Sequence, residues 1–284
     1  MRGRLFSLDK PAGVYRIAVV GDSISFGWMV NERDSFPRVL ERMLNKPGGK
    51  KFEVINFSVP GYNITQELEL VKTKVLQFHP DMVILSFCGN DDHLSSYIQP
   101  EINFVNYLFH KSYLIHFIIM KMDLYFVSRS GWYMPVWNAF KKKILKMYYW
   151  SKYIYPFPGL EAVPYIGKDL PATRDLTPKR YWHMLGKINY KLCLGEFSRI
   201  LNQSRIAFIS CGYFSPWALA IHEDLPIKHT FNFRDYLTQL KVEKRDIILS
   251  DFDLHPNVKG HQLMAQGLSS LVSAIASLDE EYDH

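Results

Sequence analysis

Short runs of apolar, β-branched residues alternate along this chain with segments that have the spacing of amphipathic helices. The runs with a strand pattern are 16–20, 52–57, 82–87 and 206–210, with a weaker fifth at 247–249. The helical patterns are 36–44, 65–78, 181–201 and 260–278. Such alternation requires crossover connections, which place parallel strands in one sheet with helices on both faces. The sequence therefore predicts an α/β fold with a central, mainly parallel five-stranded sheet.

A serine follows the first strand pattern at the point where that strand ends. The run 16–20 leads directly into Gly21, Asp22 and Ser23. Ligands of open α/β sheets bind just beyond the carboxyl ends of the strands, so Ser23 is expected where chemistry usually takes place. A strand–Gly–Asp–Ser turn is also compatible with a tight corner that has no catalytic role.

A histidine near the other end of the sequence has acidic neighbours. His255 follows Asp251 and Asp253 and precedes Pro256. A serine hydroxyl becomes a good nucleophile when a base takes its proton and a third group orients that base. We therefore interpret His255 as the candidate base, with one of the two aspartates as its partner.

Two further loops carry hydrogen-bond donors at the same predicted edge of the sheet. Gly61 lies in a Pro-Gly turn after the run 52–57, and Asn90 lies in a Gly-Asn-Asp turn after the run 82–87. A backbone N–H beside glycine can approach a substrate closely, and an asparagine amide adds a second donor. Donors that converge on one point form an oxyanion hole. Each segment taken alone is more typical of an ordinary turn.

These four segments together resemble the four blocks of the SGNH, or GDSL-type, hydrolase superfamily. The resemblance extends over most of the chain, from about residue 16 to residue 276. It implies a three-layer α/β/α flavodoxin-like sandwich with Ser23 as nucleophile and His255 as base. It also implies oxyanion donors from the backbones of Ser23 and Gly61 and from the side chain of Asn90.

One position departs from the pattern of that superfamily. The aspartate usually stands three residues before the histidine, and this chain has Phe252 there. The shorter Asp-x-His spacing of some relatives selects Asp253, and Asp251 is the alternative. Ser23 has no Gly-x-Ser-x-Gly elbow around it, which argues against an α/β-hydrolase fold. A dinucleotide-binding Rossmann fold is disfavoured because no Gly-x-Gly-x-x-Gly follows the first strand.

The expected function is that of a serine esterase or acylhydrolase that cleaves a carboxylic ester through an acyl-enzyme on Ser23. The substrate would be a small-molecule or lipid ester, and the chemistry needs no cofactor and no metal. The 3 cysteines are scattered and form neither a disulfide framework nor a zinc-binding spacing. Two alternatives stay open: an O-acyltransferase acting on a lipid or glycan hydroxyl, and a non-catalytic binding module that docks to a membrane.

The composition changes in the middle of the sequence. We expect a single domain, 1–284, that contains a basic, mostly helical insert at 95–178. Of the chain's 42 aromatic residues, 17 lie between 101 and 157. Such a segment can pack over the sheet, form a lid or acyl-binding cap, or lie on a lipid surface. We therefore keep peripheral membrane contact through 101–157 as a hypothesis, whereas no signature of nucleic-acid binding is present.

Targeting signals are not evident in the sequence. The first residues lack the apolar core of a signal peptide, and no apolar run reaches the ~20 residues of a membrane span. The compartment stays open between the cytoplasm and, for a chain trimmed of an upstream anchor, a membrane surface.

Overall fold

Five parallel strands form the central sheet of this computed structural model, which describes residues 2–93, 121, 183–250 and 253–282. The strands are β1 (Val14–Gly21), β2 (Lys51–Asn56), β3 (Met82–Phe87), β4 (Ala207–Gly212) and β5 (His229–Asn232). Their order across the sheet is β2-β1-β3-β4-β5, and every neighbouring pair is parallel. This is a doubly wound strand order. In such sheets ligands bind where the order of the strands reverses, which here lies between β1 and β3.

Seven helices accompany the sheet in the described residues. They are α1 (Ser23–Phe26), α2 (Phe36–Leu44), α3 (Ile64–Thr73), α4 (Gly186–Gln203), α5 (Pro216–Glu223), α6 (Phe233–Gln239) and α7 (Val258–Tyr282). Helices α2, α6 and α7 pack in one apolar cluster, and α3, α4 and α5 pack in another. The sheet separates the two clusters, so the molecule has three layers. The predicted α/β fold with a parallel central sheet is confirmed.

The composition of β1 explains why it lies at the centre. Ile17 and Val19 belong to one apolar cluster, and Ala18 and Val20 belong to the other. All four side chains are fully buried. Successive residues of a strand point to opposite faces, so a strand covered on both faces needs an unbroken apolar run.

The fifth strand of the sheet is not the one that the sequence indicates. The run 247–249 overlaps a short strand, β6 (Ile248–Ser250), which pairs antiparallel with β7 (Asp253–Pro256) in a separate two-stranded ribbon. The fifth position is occupied by β5, which pairs with β4. Because β5 has four residues and none of its side chains is fully buried, it lacks the apolar run by which the other strands are recognised.

Two helix boundaries also differ from the sequence pattern. The helix expected over 65–78 is interrupted after Thr73 and continues as a 3₁₀ turn, Val75–Phe78. The helix expected over 181–201 spans Gly186–Gln203.

Most of the predicted insert, 95–178, lies outside the described residues, so its cap function and the membrane contact of 101–157 stay predictions. Within the described residues, no helix combines the length and the apolar character that crossing a membrane requires.

Candidate active site

Ser23 is the first residue of α1, directly after the turn that ends β1. Asp22 caps this helix, because its Oδ1 accepts the N–H of Ile24 at 3.1 Å. Gly21 is required for space, since a Cβ atom there would lie 2.9 Å from the backbone oxygen of Ser86 on the neighbouring strand. The corner therefore presents a partly exposed serine beyond the carboxyl end of a central strand.

Three side chains meet at this corner. Nε2 of His255 lies 2.8 Å from Oγ of Ser23, and Nδ1 of His255 lies 2.5 Å from Oδ1 of Asp253. A carboxylate only accepts hydrogen bonds, so Nδ1 carries the proton and Nε2 is left to accept from the serine hydroxyl. The arrangement is a Ser–His–Asp relay in which the base is oriented for proton removal.

The Ser23 hydroxyl has a second acceptor within reach. Oδ2 of Asp22 lies 3.1 Å from Oγ of Ser23, compared with 2.8 Å for Nε2 of His255. One hydroxyl proton cannot serve both acceptors fully, and the shorter contact is the one to the imidazole. Asp22 thus competes weakly with the base while it caps the helix.

The short ribbon of β6 and β7 explains why Asp253 contacts the histidine. Residues two apart in a strand point to the same face, so Asp253 and His255 lie side by side on β7. Asn257 fixes the ribbon: its Nδ2 donates to the backbone oxygen of Ile248 at 2.9 Å, and its Oδ1 accepts the N–H of Gly260 at 3.0 Å. The alternative partner, Asp251, lies outside the described residues.

The loops after β2 and β3 meet in front of the end of β1. The N–H of Val59 donates to the backbone oxygen of Gly21 at 3.0 Å. The side-chain amide of Asn90 donates to the backbone oxygen of Tyr62 at 3.4 Å. Gly61 precedes that tyrosine and has a positive φ of 79°, which glycine adopts without strain.

The contacts thus bring Asn90 next to the turn that contains Gly61. Their roles as oxyanion donors, like the catalytic roles of Ser23, His255 and Asp253, stay predictions.

Two buried carboxyl groups lie within electrostatic range of Asp22, the residue before the serine. Burial, together with the negative charge of Asp22, raises the pKa of the Glu67 carboxyl well above its usual range. Burial and the neighbouring Glu67 do the same to the pKa of Asp91. One Asp91 oxygen accepts the N–H of Cys88 at 2.9 Å, which ties the carboxyl to its own loop. In both carboxyl groups, burial disfavours the ionised form relative to an exposed carboxyl.

Two aromatic residues beside the relay carry no sequence signal for this position. The Trp28 ring lies 6.4 Å from the His255 ring, centre to centre, and follows α1. His261 on α7 is fully buried, and its Nδ1 accepts the N–H of Phe36 at 3.2 Å. Burial lowers the pKa of His261 to about 4, so this histidine is neutral at physiological pH. It has the character of a structural core residue.

A second serine–histidine pair lies within the apolar core. Oγ of Ser210 on β4 is 2.7 Å from Nε2 of His222 on α5. Nδ1 of this histidine lies 2.7 Å from the backbone oxygen of Ala218. Burial lowers the pKa of His222. The pair ties a helix to the sheet in a place that a substrate does not reach, because both side chains are almost completely buried.

Metal chemistry has no obvious location in the described part of the chain. No group of three or more histidine, cysteine, aspartate or glutamate side chains there has an arrangement that could hold a metal ion.

Comparison with known proteins gives one family match. The model of the GDSL-like Lipase/Acylhydrolase family matches residues 19–113. The matched segment contains Ser23, Gly61 and Asn90 and ends before His255. No curated protein shows a significant match to the chain.

Several solved structures are similar to the chain at low identity. A lipase/acylhydrolase from Enterococcus faecalis has 12% identity and a TM-score of 0.48, with 92% of this chain and 96% of that chain covered. The psychrotrophic esterase EstA from Pseudoalteromonas sp., inhibited by monoethylphosphonate, has 13% identity and a TM-score of 0.48, with coverages of 92% and 98%. A G-D-S-L family protein from Desulfitobacterium hafniense, described as lipolytic, has 13% identity and a TM-score of 0.46, with coverages of 90% and 98%.

Proposed function

We propose that this chain cleaves carboxylic esters through an acyl-enzyme on Ser23, and the match of residues 19–113 to the GDSL-like Lipase/Acylhydrolase family supports the proposal. The observation that carries the proposal is the continuous hydrogen-bonded relay of Ser23, His255 and Asp253, with contacts of 2.8 and 2.5 Å. Such a relay activates a serine hydroxyl that would otherwise be a weak nucleophile.

The first half of the reaction follows from the direction of these hydrogen bonds. Oγ of Ser23 attacks the ester carbonyl carbon while Nε2 of His255 takes the hydroxyl proton. The imidazolium that forms is stabilised by the adjacent Asp253 carboxylate. The tetrahedral intermediate then collapses, and His255 gives its proton to the oxygen of the departing alcohol.

The second half uses the same groups with water. His255 removes a proton from a water molecule, the resulting hydroxide attacks the acyl-enzyme, and Ser23 leaves with the proton that the imidazole returns. In both halves the negative charge develops on the former carbonyl oxygen. The backbone N–H groups of Ser23 and Gly61 and the Asn90 amide are the proposed donors to that oxygen, each worth about 3–4 kcal/mol in such sites.

The direct test is hydrolysis of p-nitrophenyl acetate and p-nitrophenyl butyrate by the purified chain, combined with labelling by a fluorophosphonate probe. We expect nitrophenolate release and a single covalent adduct, which peptide mass spectrometry should locate on Ser23. The nearby Ser25 and Ser58 serve as internal controls, since both are buried. Absence of hydrolysis with both esters, or an adduct on a serine other than Ser23, would overturn the proposal.

A further inference from the structure

The side chain of Arg2 closes the turn that follows the nucleophile. Its guanidinium donates to the backbone oxygens of Phe26, Gly27 and Val30, and the last two contacts measure 2.6 and 2.8 Å. The guanidinium carbon also lies 4.5 Å from the centre of the Phe26 ring, within the range of a cation–π contact. One side chain from outside the site thus holds three carbonyls of the segment after Ser23.

Helix α1 is too short to satisfy its own carbonyls. The oxygen of Ser23 accepts the N–H groups of Gly27 and Trp28, and that of Ile24 shares the Gly27 N–H. The oxygen of Ser25 accepts the side-chain amide of Asn56 at 2.8 Å. The remaining carbonyl of the helix, that of Phe26, takes its hydrogen bond from Arg2. The last carbonyls of a helix need such external donors, and Arg2 supplies this one.

The backbone at Arg2 is itself hydrogen-bonded to the sheet. The N–H of Arg2 donates to the backbone oxygen of Asn56, the last residue of β2, at 2.9 Å. Asn56 is therefore hydrogen-bonded both to Arg2 and to Ser25 in α1. Gly27 leaves the room that the guanidinium occupies, since a Cβ atom there would lie 2.7 Å from Nη1 of Arg2. Arg2 consequently sits in a fixed position against the turn.

We propose that Arg2 is a positioning residue for the nucleophile, holding the turn after Ser23 so that Oγ stays aligned with Nε2 of His255. The inference rests on the proposed esterase function. A guanidinium is planar and carries five N–H donors, so it can satisfy several carbonyls at once, which an ammonium group does less well. Without it the turn can open, and a displacement of about 1 Å at the reacting atoms can cost up to ~10²-fold in rate.

The test compares Arg2→Ala, Arg2→Lys and the control Arg4→Ala. Arg4 lies two positions further on, pairs with Glu41 at 2.9 Å and stacks on Phe6 at 4.7 Å, and contacts no residue of α1 among its described contacts. We expect Arg2→Ala to lower kcat on p-nitrophenyl acetate by about 10- to 100-fold with KM changed less than about twofold. Arg2→Lys should recover part of that loss, and Arg4→Ala should keep the wild-type kcat.

Chemical rescue separates positioning from a general loss of stability. Methylguanidinium at millimolar concentration should raise kcat of Arg2→Ala, whereas sodium chloride at the same ionic strength should not. Thermal unfolding of each variant confirms that the assays are run on folded protein. A wild-type kcat in Arg2→Ala, an equal loss in Arg4→Ala, or a kcat loss that methylguanidinium does not reverse would overturn the inference.

Amide hydrogen exchange distinguishes a failure of the positioning role from a failure of the esterase proposal. Opening of the turn should speed exchange at the N–H groups of Gly27 and Trp28 in Arg2→Ala, and no ester is needed to observe it. If the wild-type chain hydrolyses no ester, the esterase proposal fails and the positioning role fails with it. Faster exchange would then show only that Arg2 holds the turn. If the wild type is active and exchange in Arg2→Ala is unchanged, the positioning inference alone fails.

Discussion

Two serine–histidine pairs in this chain have nearly the same hydrogen bond and very different surroundings. The Oγ–Nε2 distance is 2.8 Å for Ser23 and His255 and 2.7 Å for Ser210 and His222. Nδ1 contacts the Asp253 carboxylate in the first pair and a neutral backbone oxygen in the second. The His255 side chain keeps 21% of its surface exposed, whereas His222 as a whole keeps 3%.

A serine–histidine contact alone does not make a nucleophile. A carboxylate on Nδ1 stabilises the imidazolium that forms when the hydroxyl loses its proton, and a carbonyl does so far less. Burial acts in the opposite direction, because it lowers the pKa of His222 and so disfavours the protonated form. The first pair is therefore suited to proton transfer, and the second to holding α5 against β4.

The largest expected difference is in catalysis. Ser23→Ala should lower kcat for p-nitrophenyl acetate by about 10⁴-fold or more, because the attacking atom is removed. Ser210→Ala, which breaks the other pair by the same change, should keep kcat within about threefold, since Ser210 touches no reacting atom. Turnover close to wild type in Ser23→Ala would remove Ser23 from the mechanism.

The second-largest loss of kcat should follow from changing the carboxylate that contacts Nδ1 of His255. Asp253→Asn preserves the shape of the side chain and removes its charge, and we expect kcat to fall by about 10³–10⁴-fold, as carboxylate removal does in Ser–His–Asp proteases. The exposed Asp246→Asn, on the turn before β6, makes the same charge change away from the histidine and should leave kcat unaltered. Equal kcat values for the two variants would show that Asp253 does not orient the base.

The first pair lies at the carboxyl edge of the sheet, where Asn90 is its proposed oxyanion donor, and the buried pair has no such proposed donor. Asn90→Ala should lower kcat by about 10²–10³-fold and change KM less, because an oxyanion donor acts mainly in the transition state. The exposed Asn31→Ala is the matched control and should behave as wild type. A parallel rise in KM with constant kcat would assign Asn90 to substrate binding instead.

The buried pair should be important for stability instead. Ser210→Ala leaves Nε2 of His222 buried without its partner, which should reduce the free energy of unfolding by about 1–3 kcal/mol. Urea unfolding followed by circular dichroism measures this change, with Ser23→Ala as the control at the partly exposed pair. A loss of stability in Ser23→Ala as large as in Ser210→Ala would contradict the assigned division of roles.

The smallest expected effect is on the loss of stability at acidic pH. Since the folded pKa of His222 lies below its ordinary value, the unfolded chain binds a proton more readily than the folded one. Stability from this group is therefore present above about pH 6.5 and is lost as the pH falls from there toward the folded pKa. Unfolding by urea at pH 7.5 and pH 5.5 should show a smaller acid loss in His222→Gln than in wild type. His261, whose pKa is lowered in the same direction, accounts for a further part of the acid loss in both proteins.

Much of the sheet could be predicted because its central strands are covered on both faces. Such strands need unbroken apolar runs, and β1 and β3 have them. The edge strand β5 carries His229, Thr230 and Asn232 on a half-exposed surface, so nothing in its composition separates it from a loop. The helices α5 and α6 were not predicted either, because with 8 and 7 residues they are too short for a clear helical periodicity.

The candidate site, too, could be predicted only in part from the sequence. Ser23 and His255 could be chosen from local motifs, but the spacing alone left two aspartates open. The strand geometry of β7 is what brings Asp253 to the imidazole. The proposed positioning role of Arg2 could not be predicted from the sequence. It depends on contacts with residues that are between 24 and 28 positions further along the chain, and no local pattern encodes them.

The hydrogen bond between Ser23 and His255 joins residues that are 232 positions apart, whereas Asp253 and His255 are two apart. The base and its orienting carboxylate can thus meet by a local turn, but the nucleophile reaches them only through long-range closure of the chain. The entropic cost of closing a loop grows with the logarithm of its length, at about 0.6 kcal/mol per doubling, so the contact with Ser23 is entropically costlier than the local one and should form later. During refolding, ester hydrolysis should therefore return with the closure of the sheet and not with the earlier recovery of helical circular dichroism.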